Sequence, residues 1–215
     1  MHPLAPIAPL VAHAAKSCPS DMPLSCHNST AVADTCCFIP AGQILQTQFW
    51  DTHPPTGPSD SWTIHGLWPD NCDGTYPQQC DRSRVYRNLT DVLEAAGASA
   101  TLQYMERYWK DFRGDDDNLW EHEWAKHGTC VSTLDPRCYG DDYRPADEAR
   151  RHGAPVTLRC RGGAINEVWY HFNVRGSLQA GQFVAAEPDG PKSSCGSRVH
   201  YMPKRRGSWD RMELK

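Results

Sequence analysis

The sequence contains no CxxC pair, although it carries ten cysteines in 215 residues. That absence argues against zinc ribbons and thioredoxin-like redox sites, which use closely spaced thiols. No apolar run approaches the roughly 20 residues of a membrane-spanning helix. Positive charge is not in excess: 22 Lys and Arg against 26 Asp and Glu give a formal charge of −4. A basic nucleic-acid binder is therefore excluded on charge alone. No internal repeat is visible. The first fifteen residues hold no Lys or Arg, yet Ala12-His13-Ala14 resembles a signal-peptidase site. Residues 1–15 read either as the remnant of a secretion signal or as an unstructured tail.

What is present points to one globular domain. A chain of 215 residues with 39% hydrophobic content and eight tryptophans can bury a core. Seventeen prolines and sixteen glycines imply many loops. The cysteines are Cys18, Cys26, Cys36, Cys37, Cys72, Cys80, Cys130, Cys138, Cys160 and Cys195, an even set spanning the chain. They read as a disulfide framework, which places the protein in an oxidising compartment, secreted or vacuolar. Sequons at Asn28 and Asn88 agree with that compartment. Ten histidines, protonated below about pH 6.5, would bring the formal charge from −4 to +6. An anionic substrate would thus be attracted better in acid.

The pattern predicts an α+β fold with an antiparallel sheet packed with helices. The domain is expected over residues 16–203, with residues 204–215 as a flexible C-terminal tail. Residues 16–40 read as a loop-and-short-helix cap. Gln43 to Trp50 alternates as a strand, and Ser61 to Leu67 reads as a second, closing at Gly66 and then Pro69. Residues 70–82 read as a loop closed by Cys72 and Cys80. Leu89–Ala96 and Leu102–Phe112 look helical. Residues 113–118 read as a charged loop, and Asn118 with Glu121 as the capping box of a further helix that Gly128 stops. Residues 139–155 read as a solvated linker. Ile165–Val174 and Leu178–Ala185 read as two strands joined at Arg175-Gly176.

Two stretches carry chemistry. In SWTIHGLWPDNC (Ser61–Cys72), His65 sits at a strand end beside a glycine that opens space. Trp68 and Tyr76 offer aromatic faces and Asp70 a polar acceptor, the means by which single-stranded RNA bases are stacked and read. The bland alternative makes His65 a satisfied core histidine. In WEHEWAKHGTC (Trp120–Cys130), helical spacing stacks Glu123 beside His127 and His122 beside Lys126. Trp120 and Trp124 anchor an apolar stripe alongside. The start of an HExxH zinc motif fails at Lys126, and at about 140° apart His122 and His127 do not share a helix face. A compact acid, base and cation patch suggests catalysis on something anionic.

Together these stretches resemble the two active-site segments of the ribonuclease T2 family. The likeness continues through Cys36-Cys37, INEVWYHFNVRGS and FVAAEPDG, covers nearly the whole chain and looks like the fungal branch. The resemblance implies catalytic roles for His65, Glu123 and His127, and a phosphate-binding role for His122 and Lys126. It implies base binding by Trp68, Asp70 and Tyr76, with Asp70 linked to adenine, and Leu119 near the second base. It also implies the pairs Cys18–Cys37, Cys26–Cys72, Cys36–Cys138, Cys80–Cys130 and Cys160–Cys195. The expected activity is metal-independent, cofactor-free cleavage of single-stranded RNA, with no cutting of DNA, by a monomer away from membranes. One departure stands out: from Cys138 to Cys160 the chain is shorter than the family pattern. That shortening keeps open a rival reading, a secreted RNA-binding or defence protein of the same fold with impaired catalysis.

Overall fold

In the computed structural model, which describes residues 18–27, 30–52, 54–138, 156–190 and 193–204, QILQTQF forms strand β1 (Gln43–Phe49). The other strands are β2 (Thr63–Asp70), β3 (Val156–Arg161), β4 (Ala164–Arg175) and β5 (Gln182–Ala185). All pair antiparallel in the order β2-β1-β4-β3, with β5 beside the second half of β4. Helices α1 (Leu89–Ala95), α2 (Ser99–Tyr108) and α3 (Asp116–Lys126) lie between β2 and β3 in the chain. The fold is α+β with an antiparallel sheet.

Strand alternation divides the sheet chemically. Ile44 and Val174 are fully buried with Ile39 and Val131 in one apolar cluster. The alternate positions of β1, Leu45, Thr47 and Phe49, pair with His171, Trp169 and Glu167 of β4. Paired residues share a face, so these six lie on one side of the sheet, and Leu45 and Trp169 among them line a cavity there. A second cluster, Leu102, Met105 and Trp120, joins α2 to α3, with Leu89 and Leu93 of α1 packed against it.

Five disulfides hold the loops. Cys18–Cys37 and Cys36–Cys138 fasten the N-terminal segment, and Cys26–Cys72 joins it to the loop after β2. Cys80–Cys130 ties that same loop to the short 3-10 turn that follows α3, and Cys160–Cys195 ties β3 to the C-terminal segment. Cys72 and Cys80 therefore bond outward and do not close the 70–82 loop on each other.

Several local expectations are corrected. β2 runs on through Pro69, which pairs with Ile44. Proline is tolerated because β2 is an edge strand and needs no N–H on its open side. α2 begins three residues earlier than expected and stops at Tyr108. The cap of α3 is Asp115, not Asn118: its carboxylate accepts the Asn118 N–H at 3.3 Å. Asp116 and Asp117 then occupy the first turn, where the helix dipole favours negative charge.

Gly128 is not a left-handed stop. His127 is the C-cap, and Gly128 enters a short 3-10 turn, Gly128–Cys130. Its missing side chain serves close approach instead, since a Cβ there would lie 2.5 Å from the Trp124 ring. The turn at Arg175-Gly176 is present, with Gly176 at φ +87. β5 covers only Gln182–Ala185 of the longer strand expected there, and β3 was not expected at all.

The described part of residues 16–40 is built of turns and a single bridge at Leu24, with no helix among the described residues. At the other end, Lys204 is not loose: it is buried, with its ammonium 5.0 Å from the Trp50 ring. The expectations for residues 1–15, Asn28, 139–155 and 205–215 lie outside the described residues.

Candidate active site

A β-bulge sets the position of His65. Thr47 pairs with Gly66 and Gln48 with Ile64, so His65 is the extra residue of β2 with no partner on β1. Bulges re-aim side chains in this way beside functional sites. The imidazole is held by rings and by carboxylates. Phe49 stacks on it with centroids 4.0 Å apart, and Trp68 meets it edge-on at 4.6 Å. Its Nδ1 lies 2.5 Å from Glu167 Oε1, and its Nε2 lies 3.8 Å from Glu123 Oε1.

The helical layer reaches the same residue through a tryptophan chain. Trp120 Nε1 donates to the Trp109 carbonyl at 2.9 Å, and Trp109 Nε1 donates to the His65 carbonyl at 2.8 Å. Each indole satisfies a backbone acceptor, so the apolar cluster of α2 and α3 is fastened to the bulge.

Gly66 makes room for the next group. A Cβ at this position would lie 2.0 Å from Glu123 Oε2 and 2.6 Å from Trp68 Nε1. The Glu123 carboxylate occupies that space and accepts the Trp68 indole N–H at 2.7 Å. Burial raises its pKa; the Trp68 hydrogen bond and the charges of His65, His122 and Lys126 act the other way.

His127 stands apart from Glu123. Helical stacking suggested that the carboxylate would orient this ring, but His127 is the cap of α3, and its backbone N–H bonds to the Glu123 carbonyl. The Glu123 side chain turns to Trp68 and His65 instead. Trp68 holds the ring of His127, stacking on it at 5.0 Å and 23°. His127 Nδ1 is buried with no hydrogen-bond partner among the described residues. Burial, reinforced by the charges of Lys126, His122 and His65, pushes the His127 pKa down to about 3. The ring is therefore neutral through the mildly acidic range.

A cavity of about 310 Å³ collects these groups. His65, Glu123, His127, His122 and Lys126 all line it, as do Trp68, Asp70 and Tyr76. His122 is exposed at the mouth. Lys126 Nζ lies 5.9 Å over the Tyr76 ring, and Tyr76 itself is 53% exposed. Asp70 is buried, and burial together with nearby Asp189 raises its pKa to about 7. Trp68 differs from the free stacking platform expected: His127 covers one face and Glu123 takes its N–H. Leu119 packs on the Leu102, Met105 and Trp120 cluster and is not part of the cavity lining.

Leu45, Gly74 and Trp169 also line the cavity, and Glu167 reaches His65 from behind; none was singled out in the sequence. The alternation of INEVWYHF was a usable signal for Glu167 and Trp169, because every second residue of a strand shares a face. Which face it was depended on the partner strand.

The chain superposes on Actibind, a T2 ribonuclease of known crystal structure, with a TM-score of 0.78 at 40% identity, covering 88% of this chain and 98% of that one. It is 57% identical to Ribonuclease Trv of Hypocrea rufa, over 89% of this chain and all of that protein. It is 43% identical to Ribonuclease T2 of Aspergillus oryzae, over 88% of this chain and 84% of that protein. Fold and site thus define the class: the protein is an endoribonuclease. More narrowly, it belongs to the ribonuclease T2 family, whose pattern matches residues 41–149.

Proposed function

We propose that the protein cleaves single-stranded RNA, with low base specificity and a preference for acid, by transphosphorylation through the ribose 2′-hydroxyl. His127 takes the 2′-hydroxyl proton, and the oxygen attacks the adjacent phosphorus. The bond from phosphorus to the 5′-oxygen breaks, and His65 delivers a proton to that oxygen. The product is a 2′,3′-cyclic phosphate, which slower hydrolysis opens to a 3′-phosphate. Lys126 and protonated His122 stabilise charge building on the phosphoryl oxygens. Tyr76, Asp70 and the exposed part of Trp68 hold the base 5′ to the cleaved bond.

One observation carries this assignment: two histidines in unlike environments face one cavity. His127 is buried beside cations and stays neutral in acid, as a base must. His65 has a carboxylate beside each ring nitrogen, so a positive charge on it is compensated. DNA lacks the 2′-hydroxyl and is not a substrate for this chemistry. The reaction as written asks for no metal or cofactor.

Secretion or delivery to a vacuole fits the disulfide framework. No helix among the described residues is long and apolar enough to cross a membrane. Asn88 is exposed at the start of α1, with no capping hydrogen bond from its side chain, and can carry a glycan.

The test is to incubate the oxidised protein with RNA and with DNA at about pH 5 in EDTA, where His127 is neutral and can act as the base. Cyclic-phosphate ends on RNA alone support the reading. Metal-dependent cutting, or cutting of DNA, overturns it. A folded protein that binds RNA without cutting it would favour the impaired-catalysis alternative.

A further inference from the structure

His65 faces titratable groups from four directions: Glu167 on β4, Glu123 on α3, His127 at the α3 cap and Asp51 after β1. Among the described residues, only Glu167 bonds to the ring nitrogen that turns away from Glu123. The β1–β4 register places Glu167 directly opposite Phe49. That single cross-strand pair holds the imidazole twice, by its face through Phe49 and by its edge through the carboxylate. On the other side of β4, Glu167 pairs with Arg159, whose guanidinium is stacked over Trp169, 4.8 Å from the ring centroid. Glu167 is mostly buried, with 12% of its side chain exposed.

We propose that Glu167 is the positioning residue of the acid: its carboxylate holds the proton on His65 Nδ1, so that Nε2 is the nitrogen that delivers a proton to the leaving 5′-oxygen. An imidazole in water favours no fixed orientation and can place its single proton on either nitrogen. A carboxylate accepting from Nδ1 removes that ambiguity and compensates the charge of the imidazolium. As the bond from phosphorus to the 5′-oxygen breaks, the Nε2 proton passes to that oxygen. His65 is left neutral, with Nδ1–H still donated to Glu167. Glu167 touches neither substrate nor the reacting atoms.

This inference rests on the acid role given to His65, and its test separates the two. Nitrogen-15 NMR of the histidine rings, recorded on unmodified protein without substrate, reads the neutral His65 tautomer directly. A proton on Nδ1 is expected; a proton on Nε2 would overturn the proposal whatever the activity. Kinetics then compare Glu167→Gln, Glu167→Asp and His65→Ala. In Glu167→Gln, kcat is expected to fall about 10–100-fold, the usual scale for a group that orients another, with KM changed by less than about 3-fold. The alkaline limb of its pH profile should move to lower pH, because the charge that retains the acidic proton is gone. Glu167→Asp should recover part of the loss. An unmoved alkaline limb in folded Glu167→Gln would reduce Glu167 to a structural contact and overturn the proposal. If instead His65→Ala keeps its activity, the acid assignment itself fails, while the NMR result still stands on its own.

Discussion

The indole N–H of Trp68 donates to the carboxylate of Glu123 at 2.7 Å. A strand tryptophan thus tethers the helix glutamate, and the same ring stacks on His127. Glu123 and His127 are linked through Trp68 and not by a bond between their side chains. Trp68→Phe keeps a ring under His127 but removes the donor. It should lower kcat about 10-fold, the worth of roughly one hydrogen bond to a charged group, with a Tm shift of only a few degrees. Steady-state kinetics beside a melting curve checks both. Full activity would show that the Trp68 tether on Glu123 does not matter to catalysis and would sink the catalytic role expected for this carboxylate.

His65→Ala and His127→Ala are each expected to lower kcat by about 10²–10⁴, the range of general acid–base catalysis. Either variant retaining most of its activity would sink the corresponding role. Circular dichroism should show both folded, since His65 lies on an edge-strand bulge and His127 at a helix cap.

Gly66→Ala should cost activity more than stability. Its Cβ would fall 2.0 Å from Glu123 Oε2, so the carboxylate must leave its place beside Trp68. The expected loss is about 10-fold or more in kcat/KM, the scale of a misplaced polar contact in an active site. A variant with unchanged kinetics would mean that Glu123 can relocate without consequence.

The acidic limb of the pH profile should lie low. His127 is held at about 3, so it remains a competent base well below the ~6.5 of an ordinary histidine. Initial rates between about pH 3 and 8 test this. An acidic limb near pH 6 would place the base elsewhere or show that the cavity is wetter than its burial implies.

Stability should respond to Asp70 in the opposite sense to the buried histidines. Folding raises the Asp70 pKa to about 7, so the folded state binds the proton more tightly. Stability from this group is present in acid and is lost as pH rises from about 4 to about 7. Asp70→Asn should therefore raise Tm at neutral pH and leave it nearly unchanged in strong acid. His127 and His171, lowered to about 3 and about 4, cost stability as pH falls below about 6.5. Equal melting shifts for Asp70→Asn at both pH values would show that the carboxyl is not desolvated as its burial indicates.

Much of the site was legible before the fold was known, because its chemistry is local in sequence. His122, Glu123, Lys126 and His127 lie within six residues, and helical spacing alone gathers them. His65, Trp68 and Asp70 lie within another six. What local spacing could not convey was direction. Glu123 looked poised toward His127, yet the cap geometry at His127 and the donor on Trp68 turn it to the sheet. Asn118 and Gly128 carried familiar end signals. Asp115 displaced the first by offering a carboxylate one turn earlier, and the Trp124 ring explains the second.

The amino-acid sequence by itself determined the residue types, the periodicities that make β1, β4 and α3, and the inventory of acid, base and cation. These follow from side-chain chemistry and from repeats of two and 3.6 residues. Tertiary structure alone decided the bulge that leaves His65 unpaired, the meeting of Phe49 and Glu167 on that ring, and the burial that lowers the pKa of His127. Glu167 stands 102 residues from His65. Only strand register brings them together, and register is a property of pairs of strands, not of either strand alone.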